Sequence, residues 1–261
     1  MNGRFGFSIA ILTTLLCTAF LTLPFIALLL HLSLRDVWIT WSRNAAQPLF
    51  TSLWTTAVSM VLILLFGTPA GWFLSRGKGM LWRVFEILFL IPLLMPPLVI
   101  GLLLVYFYGP YGFIGEWLSH FGASATNTAL AIVLAQLYES LPYYVFTSQA
   151  AFSQIDRRFE RASLSLGASP LKTMYRVIFP LARPGLVVGL GMAFARAIGA
   201  FGAVIVVAYY PHTLPVGIWI SLSEQGLSTA LPMALLLLLV ALPLPLTLLL
   251  WRRWSRAEIR V

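Results

Sequence analysis

Apolar residues run along this chain in long, nearly unbroken stretches separated by polar connections. A helix that crosses about 30 Å of hydrocarbon needs roughly 20 mainly apolar residues, because every backbone polar group must be satisfied within the segment. Six stretches meet that length, at 8–32, 49–75, 85–108, 128–151, 181–210 and 229–251. A lipid-facing barrel would show segments of about ten residues with alternating polarity, and the sequence has none. The pattern predicts an all-α polytopic membrane protein with six transmembrane helices, folded as a single domain over 1–261.

Two connections are long enough to hold structure of their own. Between the third and fourth stretches, Phe113, Ile114, Trp117, Leu118 and Phe121 recur at helical spacing, which predicts a short amphipathic helix in the membrane interface. Between the fourth and fifth lies a polar loop, about 152–184. In it Ile155, Phe159, Ala162 and Leu166 recur at intervals of three and four before Gly167 breaks the run. Ser169 and Pro170 then restart a helix as N-cap and first residue, Leu171, Met174, Tyr175 and Ile178 give that helix an apolar face, and Pro180 is expected to stop it. The loop therefore reads as helix, sharp turn, helix, either a surface hairpin linking two spans or a docking face for a partner.

Composition agrees with a bilayer protein. Hydrophobic residues make up 60% of the chain and charged ones 10%, against roughly 25% charged in a soluble domain. The charges set the orientation, because short loops rich in Lys and Arg stay in the cytoplasm. Threading six helices puts Arg4, Arg76, Lys78, Arg83, Arg157, Arg158, Arg161, Lys172, Arg176, Arg183, Arg252, Arg253, Arg256 and Arg260 on one side and only Arg35 and Arg43 on the other. Both termini are expected in the cytoplasm, with Asp36, Glu116, His120, His212 and Glu224 outside. This bias, with contact to anionic lipid, accounts for the net charge of +9 without nucleic acid.

Enzymatic chemistry finds little support. There is no Ser-His-Asp or Cys-His grouping and no HExxH, and His31, His120 and His212 are scattered at predicted membrane edges. Gly77-Lys78 lacks Walker spacing and the following Ser or Thr, so no P-loop is present. Cys17 is the sole cysteine, which leaves no intrachain disulfide or cysteine metal framework. The first apolar run is too long for a signal peptide and has no A-x-A site, so it reads as a retained helix.

The loop residues Glu160-Arg161-Ala162-Ser163-Leu164-Ser165-Leu166-Gly167, continuing to Val177-Ile178-Phe179-Pro180, resemble the EAA loop of ATP-binding-cassette importer permeases. Counting back from Gly167 aligns the family triplet with Arg161, Ala162 and Ser163, so Arg161 stands at the family's glutamate position and Glu160 just before it. Ile91 to Gly101, with Pro96-Pro97-Leu98-Val99-Ile100-Gly101, is similar to the Pro-Pro-x-Val-x-Gly third helix of molybdate, tungstate and sulfate permeases. Phe194 to Ala203 resembles their fifth helix, with Ala200-Phe201-Gly202 where the family commonly has Glu-Phe-Gly, and Tyr209 to Pro215 resembles its external end.

The resemblance implies a type I importer permease working as a homodimer, with two cytoplasmic ATPase subunits and an external substrate-binding protein. ATP and Mg would sit on the ATPases and no cofactor on this chain. It also implies alternating access for tungstate or molybdate, with sulfate, thiosulfate or another small solute as alternatives, in the inner membrane of a prokaryote. The coupling-loop residues would be Glu160, Arg161, Ala162, Ser163, Gly167 and Pro180.

For the path or gate the candidates are Arg196, Glu139, Pro97, Gly199, Phe201 and Gly202. An ionised side chain at the bilayer centre costs roughly 2.5 to 3.5 kcal/mol on insertion scales. Arg196 and Glu139 therefore either pair with each other or Arg196 faces a water-filled path that attracts an oxyanion. Gly185, Gly189, Gly191, Gly199 and Gly202 allow close helix approach, within or between subunits. An ion-coupled secondary transporter would show inverted repeats and several intramembrane acids. Glu139 is the one clear acid here. A membrane-embedded enzyme would need a polar constellation at one depth.

Overall fold

The computed structural model describes residues 2–122 and 124–248, and every regular element among them is helical. The helices are α1 (Asn2–His31), α2 (Leu34–Thr40), α3 (Ala46–Arg76), α4 (Met80–Leu94), α5 (Pro97–Tyr108), α6 (Phe113–Ser119), α7 (Ala129–Ser153), α8 (Arg157–Ser165), α9 (Pro170–Ile198), α10 (Gly202–Val207), α11 (Leu214–Gln225) and α12 (Leu227–Leu248). Five of the described helices are long and apolar enough to cross a membrane, and α4 with α5 makes a sixth crossing in two pieces. Arg252, Arg253, Arg256, Arg260 and the expected end of the last span at 251 lie outside the described residues, as do the side chains of Arg4 and Arg43.

Prolines shape the long helices. A proline inside a helix removes one backbone donor and crowds the carbonyl four residues back. The described residues contain three π-helical turns, Trp41–Ala45, Ile63–Gly67 and Met174–Ile178, and each lies just before a proline, at Pro48, Pro69 and Pro180. The wider turn absorbs the misfit and lets the helix continue. Pro180 therefore does not stop the helix begun at Pro170, as the sequence suggested: α9 runs on to Ile198.

Three further expectations are corrected. The stretch 85–108 is not one kinked helix, because α4 and α5 meet at Met95-Pro96 with a bend of 111°. At 15 and 12 residues, they reach about 22 and 18 Å, so neither crosses alone. The stretch 181–210 breaks after Ile198 and resumes as α10. The segment before the last span, expected to be a loop, holds α11, which reverses into α12 at Gly226 with φ +85°. The amphipathic segment at 113–121 does form α6, with Phe113 and Trp117 exposed.

The core is built around α7. Its first half packs Ala131, Ile132 and Ala135 against Ile100 and Leu104 of α5 and Ala203, Val204 and Val207 of α10. Its middle packs Tyr144 against Met60 and Ile63 of α3 and Ala193 and Ala197 of α9. The glycine-rich face of α9 serves this intrachain packing, since a Cβ on Gly185 would meet Ala151 at 2.5 Å and one on Gly189 would overlap Thr147. Polar links cross the same seam. Ser59 Oγ donates to Gln136 Oε1 at 3.0 Å, and Gln136 Nε2 donates to Thr56 Oγ1 at 3.2 Å. By contrast α1 is exposed along nearly all of its described side chains.

Candidate functional site

The interruption between α9 and α10 is where the mid-span candidates gather. Glu139 comes from the middle of α7 with a fully buried side chain, and Arg196 from the last turn of α9 with its side chain 30% exposed. Arg196 Nη2 lies 2.8 Å from Glu139 Oε2. The other carboxylate oxygen accepts the Ala203 N–H at 3.2 Å. A helix start leaves backbone donors without partners, and here the buried carboxylate takes one of them. Glu139 thus ties α7 to both sides of the interruption, and its own charge is offset by a cation and a backbone donor.

The two interrupted spans meet each other. A Cβ on Gly202 would come within 2.6 Å of Pro97 Cβ, and one on Gly101 within 2.7 Å of Val206 Cβ, so these glycines let α5 and α10 close up. Met95 and Phe201, one from each interruption, pack against the same cluster, and the Phe201 ring lies 5.8 Å from that of Trp219 on α11. Gly199 is exposed at the end of α9. Of the six path candidates the structure joins Glu139 to Arg196 and Pro97 to Gly202, with Phe201 and Gly199 on the connecting turn. Non-helical backbone at membrane depth survives only where protein buries it or where it lines a water-filled cavity. The two such stretches here pack against each other.

Sequence reasoning missed Met95 and Trp219 here. It also missed Glu86, a second acid within the spans, whose Oε1 accepts from Gln149 Nε2 of α7 at 2.5 Å. Its position just inside the stretch 85–108 was the available signal.

The loop 152–184 folds as its local chemistry dictates. Asp156 caps α8, its Oδ1 accepting from the Arg158 N–H at 2.8 Å. At the far end Gly167 adopts φ +81°, and the pair of bonds Ala168 N–H to Ser163 O and Gly167 N–H to Leu164 O closes a Schellman turn. Ser169 Oγ accepts the Lys172 N–H at 3.3 Å and Pro170 opens α9, as the sequence predicts. Phe152, Ile155, Ile178 and Ala182 form a buried cluster under the loop. Glu160 Oε2 lies 3.3 Å from Arg76 Nη2, and Ser163 Oγ is 2.9 Å from Thr173 Oγ1, whereas Arg161 and Ala162 are exposed. Pro180 lies within the long helix rather than at its end.

Comparison with known proteins places these features in a wider context. A family model described as "Binding-protein-dependent transport system inner membrane component" matches residues 67–260. A probable molybdenum ABC transporter permease protein of Haloferax volcanii is 40% identical over 186 residues, covering 71% of this chain and 68% of that protein. A molybdenum transport system permease protein of Mycobacterium bovis is 35% identical over 219 residues, 84% of this chain and 78% of that one. Among solved structures, a bacterial ABC transporter involved in the import of the acidic polysaccharide alginate superimposes with a TM-score of 0.70 at 17% identity, covering 96% of this chain and 95% of that one. That likeness concerns the fold.

Proposed function

This chain belongs to the family of binding-protein-dependent transport system inner membrane components, and from that premise we propose that it is the membrane-spanning subunit of an ATP-driven importer of tungstate or molybdate. Relatives of similar length named as molybdenum permeases support the substrate class. The subunit would work as a homodimer in the inner membrane with two cytoplasmic ATPases, which hold ATP and Mg, and an external binding protein that selects the anion. The basic residues of the loops favour cytoplasmic termini.

The observation that carries the mechanism is the continuity of α9. Its 29 residues span about 43 Å, from the Ser169-Pro170 start beside the α8 turn to Arg196 and the interruption at Gly199. In this reading the ATPase engages α8 and its turn, and displacement there travels along α9 to the point where Glu139, Arg196, Pro97 and Gly202 hold the two interrupted spans together. A rigid element joining a docking site to a bistable break is what alternating access requires. Arg196, with part of its side chain exposed, offers a planar cation suited to oxyanions, while the Glu139 carboxylate limits how tightly an anion is held.

The test is reconstitution of the chain with its ATPase and binding protein in liposomes, with molybdate and tungstate accumulation measured by elemental mass spectrometry. ATP-dependent accumulation that excess sulfate does not suppress supports the reading. Accumulation without any ATPase favours an ion-coupled transporter, and preferential uptake of sulfate moves the substrate assignment to the alternative.

A further inference from the structure

The loop carries two adjacent charged residues at its family motif, Glu160 and Arg161, and the fold sends them in different directions. Positions 157, 160 and 163 recur every third residue on one face of α8. That face is turned toward the chain itself. Arg157 Nη2 donates to the Arg76 carbonyl at 2.7 Å, Glu160 lies 3.3 Å from the Arg76 guanidinium, and Ser163 meets Thr173 of α9. Arg76 is the last residue of α3, where carbonyls lack helical partners and cations are favoured. Its Nε and Nη2 are enclosed with no hydrogen-bond partner, so Glu160 is the anion that offsets their charge. About 100° round the helix from Glu160, Arg161 is exposed on the flank of this face and Ala162 on the far side, and beyond the helix Leu166, 88% exposed, joins Leu171, 73% exposed, and the exposed Lys172 at the start of α9.

We propose that Glu160 acts inside the chain, as an ionic strut to Arg76 that fastens the docking helix to the end of α3, and that Arg161 alone of the two faces the ATPase, whose docking groove is therefore acidic around an apolar floor. The inference rests on the proposed function and assigns separate tasks to the two motif charges. Through Arg157, Glu160 and Ser163, one face of α8 grips α3 and α9 together, so that displacement of the docking helix moves both long helices. The exposed face is cationic and apolar, and carboxylates flanking an apolar groove are the matching surface.

The experiment uses the full chain co-expressed with its ATPase and binding protein, with two readouts: ATPase retained per permease on co-purification, and ATP-driven molybdate uptake. Glu160→Gln and Arg76→Gln are each expected to keep the ATPase at the wild-type ratio while lowering uptake at least tenfold. Arg76→Lys should keep most uptake, and the exchange Arg76→Glu with Glu160→Arg should recover more than half. Arg161→Glu is expected to lower retained ATPase at least tenfold. Loss of the ATPase in Glu160→Gln with retention in Arg161→Glu overturns the assignment, as does an exchange variant that inserts, purifies as a monodisperse complex and stays inactive. Arg161→Glu that keeps the ATPase at the wild-type ratio would likewise overturn it, leaving the cationic face to anionic lipid. A wild-type chain that neither retains an ATPase nor imports molybdate overturns the proposed function itself, independently of any variant.

Discussion

Glu139 on α7 and Arg196 on α9 form an ion pair of 2.8 Å at the point where α9 is interrupted, and the same carboxylate holds the first turn of α10 through the Ala203 N–H. One buried side chain thus fastens three segments at the centre of the molecule. Its strength comes from the scarcity of alternatives, because lipid offers neither charge a partner.

Arg196→Ala is expected to lower uptake at least tenfold without changing ATPase retention. It should also destabilise the protein by roughly 3–5 kcal/mol, since removing one partner leaves a buried charge uncompensated. The double variant Glu139→Gln with Arg196→Met should recover most of that stability but not uptake. Thermal unfolding in detergent and the uptake assay separate the two effects. Normal uptake by Arg196→Ala would remove the residue from the path.

The turn after α8 makes a backbone demand. Gly167 has φ +81°, where a side chain costs roughly 1–2 kcal/mol and proline, fixed near −65°, does not fit. Gly167→Pro and Ala162→Asp should leave membrane insertion intact while abolishing ATPase retention and uptake. Co-purification followed by uptake checks both, and retained uptake in either variant would contradict the docking role.

Much of this was legible in the sequence, for identifiable reasons. The turn at Gly167 and the restart at Ser169-Pro170 depend on neighbouring residues alone, so local chemistry sufficed. The charges of Glu139 and Arg196 stood out because an apolar span makes any ion conspicuous, but the sequence left open whether they pair or Arg196 faces a water-filled path, and the structure shows the pair. What stayed hidden depends on partners distant in sequence. Pro96-Pro97 reads alike for a kink and for a 111° bend, and close packing between Pro97 and Gly202 accompanies the bend seen here. The strut from Glu160 to Arg76 has no local spacing signal. The helix α11 has only 12 residues, so no hydropathy window long enough for a span could find it.

The contact between the interrupted spans predicts a steric threshold. Gly202→Leu, whose Cβ would lie 2.6 Å from Pro97 Cβ, should lower both the unfolding midpoint and uptake. Gly191→Ala, whose nearest neighbour is at an ordinary 3.6 Å, should change neither. Thermal unfolding of the two variants side by side is the check, and equal midpoints would mean that the α5–α10 contact yields.

The polar seam between α3 and α7 predicts a smaller effect. Gln136→Leu removes bonds to Ser59 and Thr56, and interhelical bonds of this kind are worth about 0.6 kcal/mol each, up to about 1.7. A modest loss of stability with uptake preserved is expected, read from the same unfolding assay. A large loss of uptake would give Gln136 a role in transport instead.

Opening of the break around Arg196 by events at the docking loop is tested most directly by accessibility. Cys17 is the only cysteine, so Gly199→Cys in a Cys17→Ser background places a single thiol at the end of α9. Labelling by a membrane-impermeant maleimide from the external side of proteoliposomes should rise at least tenfold when the ATPases are trapped with ATP and vanadate. Labelling that is the same in nucleotide-free and trapped complexes, with transport intact, would contradict the coupling of α8 through α9 to this break.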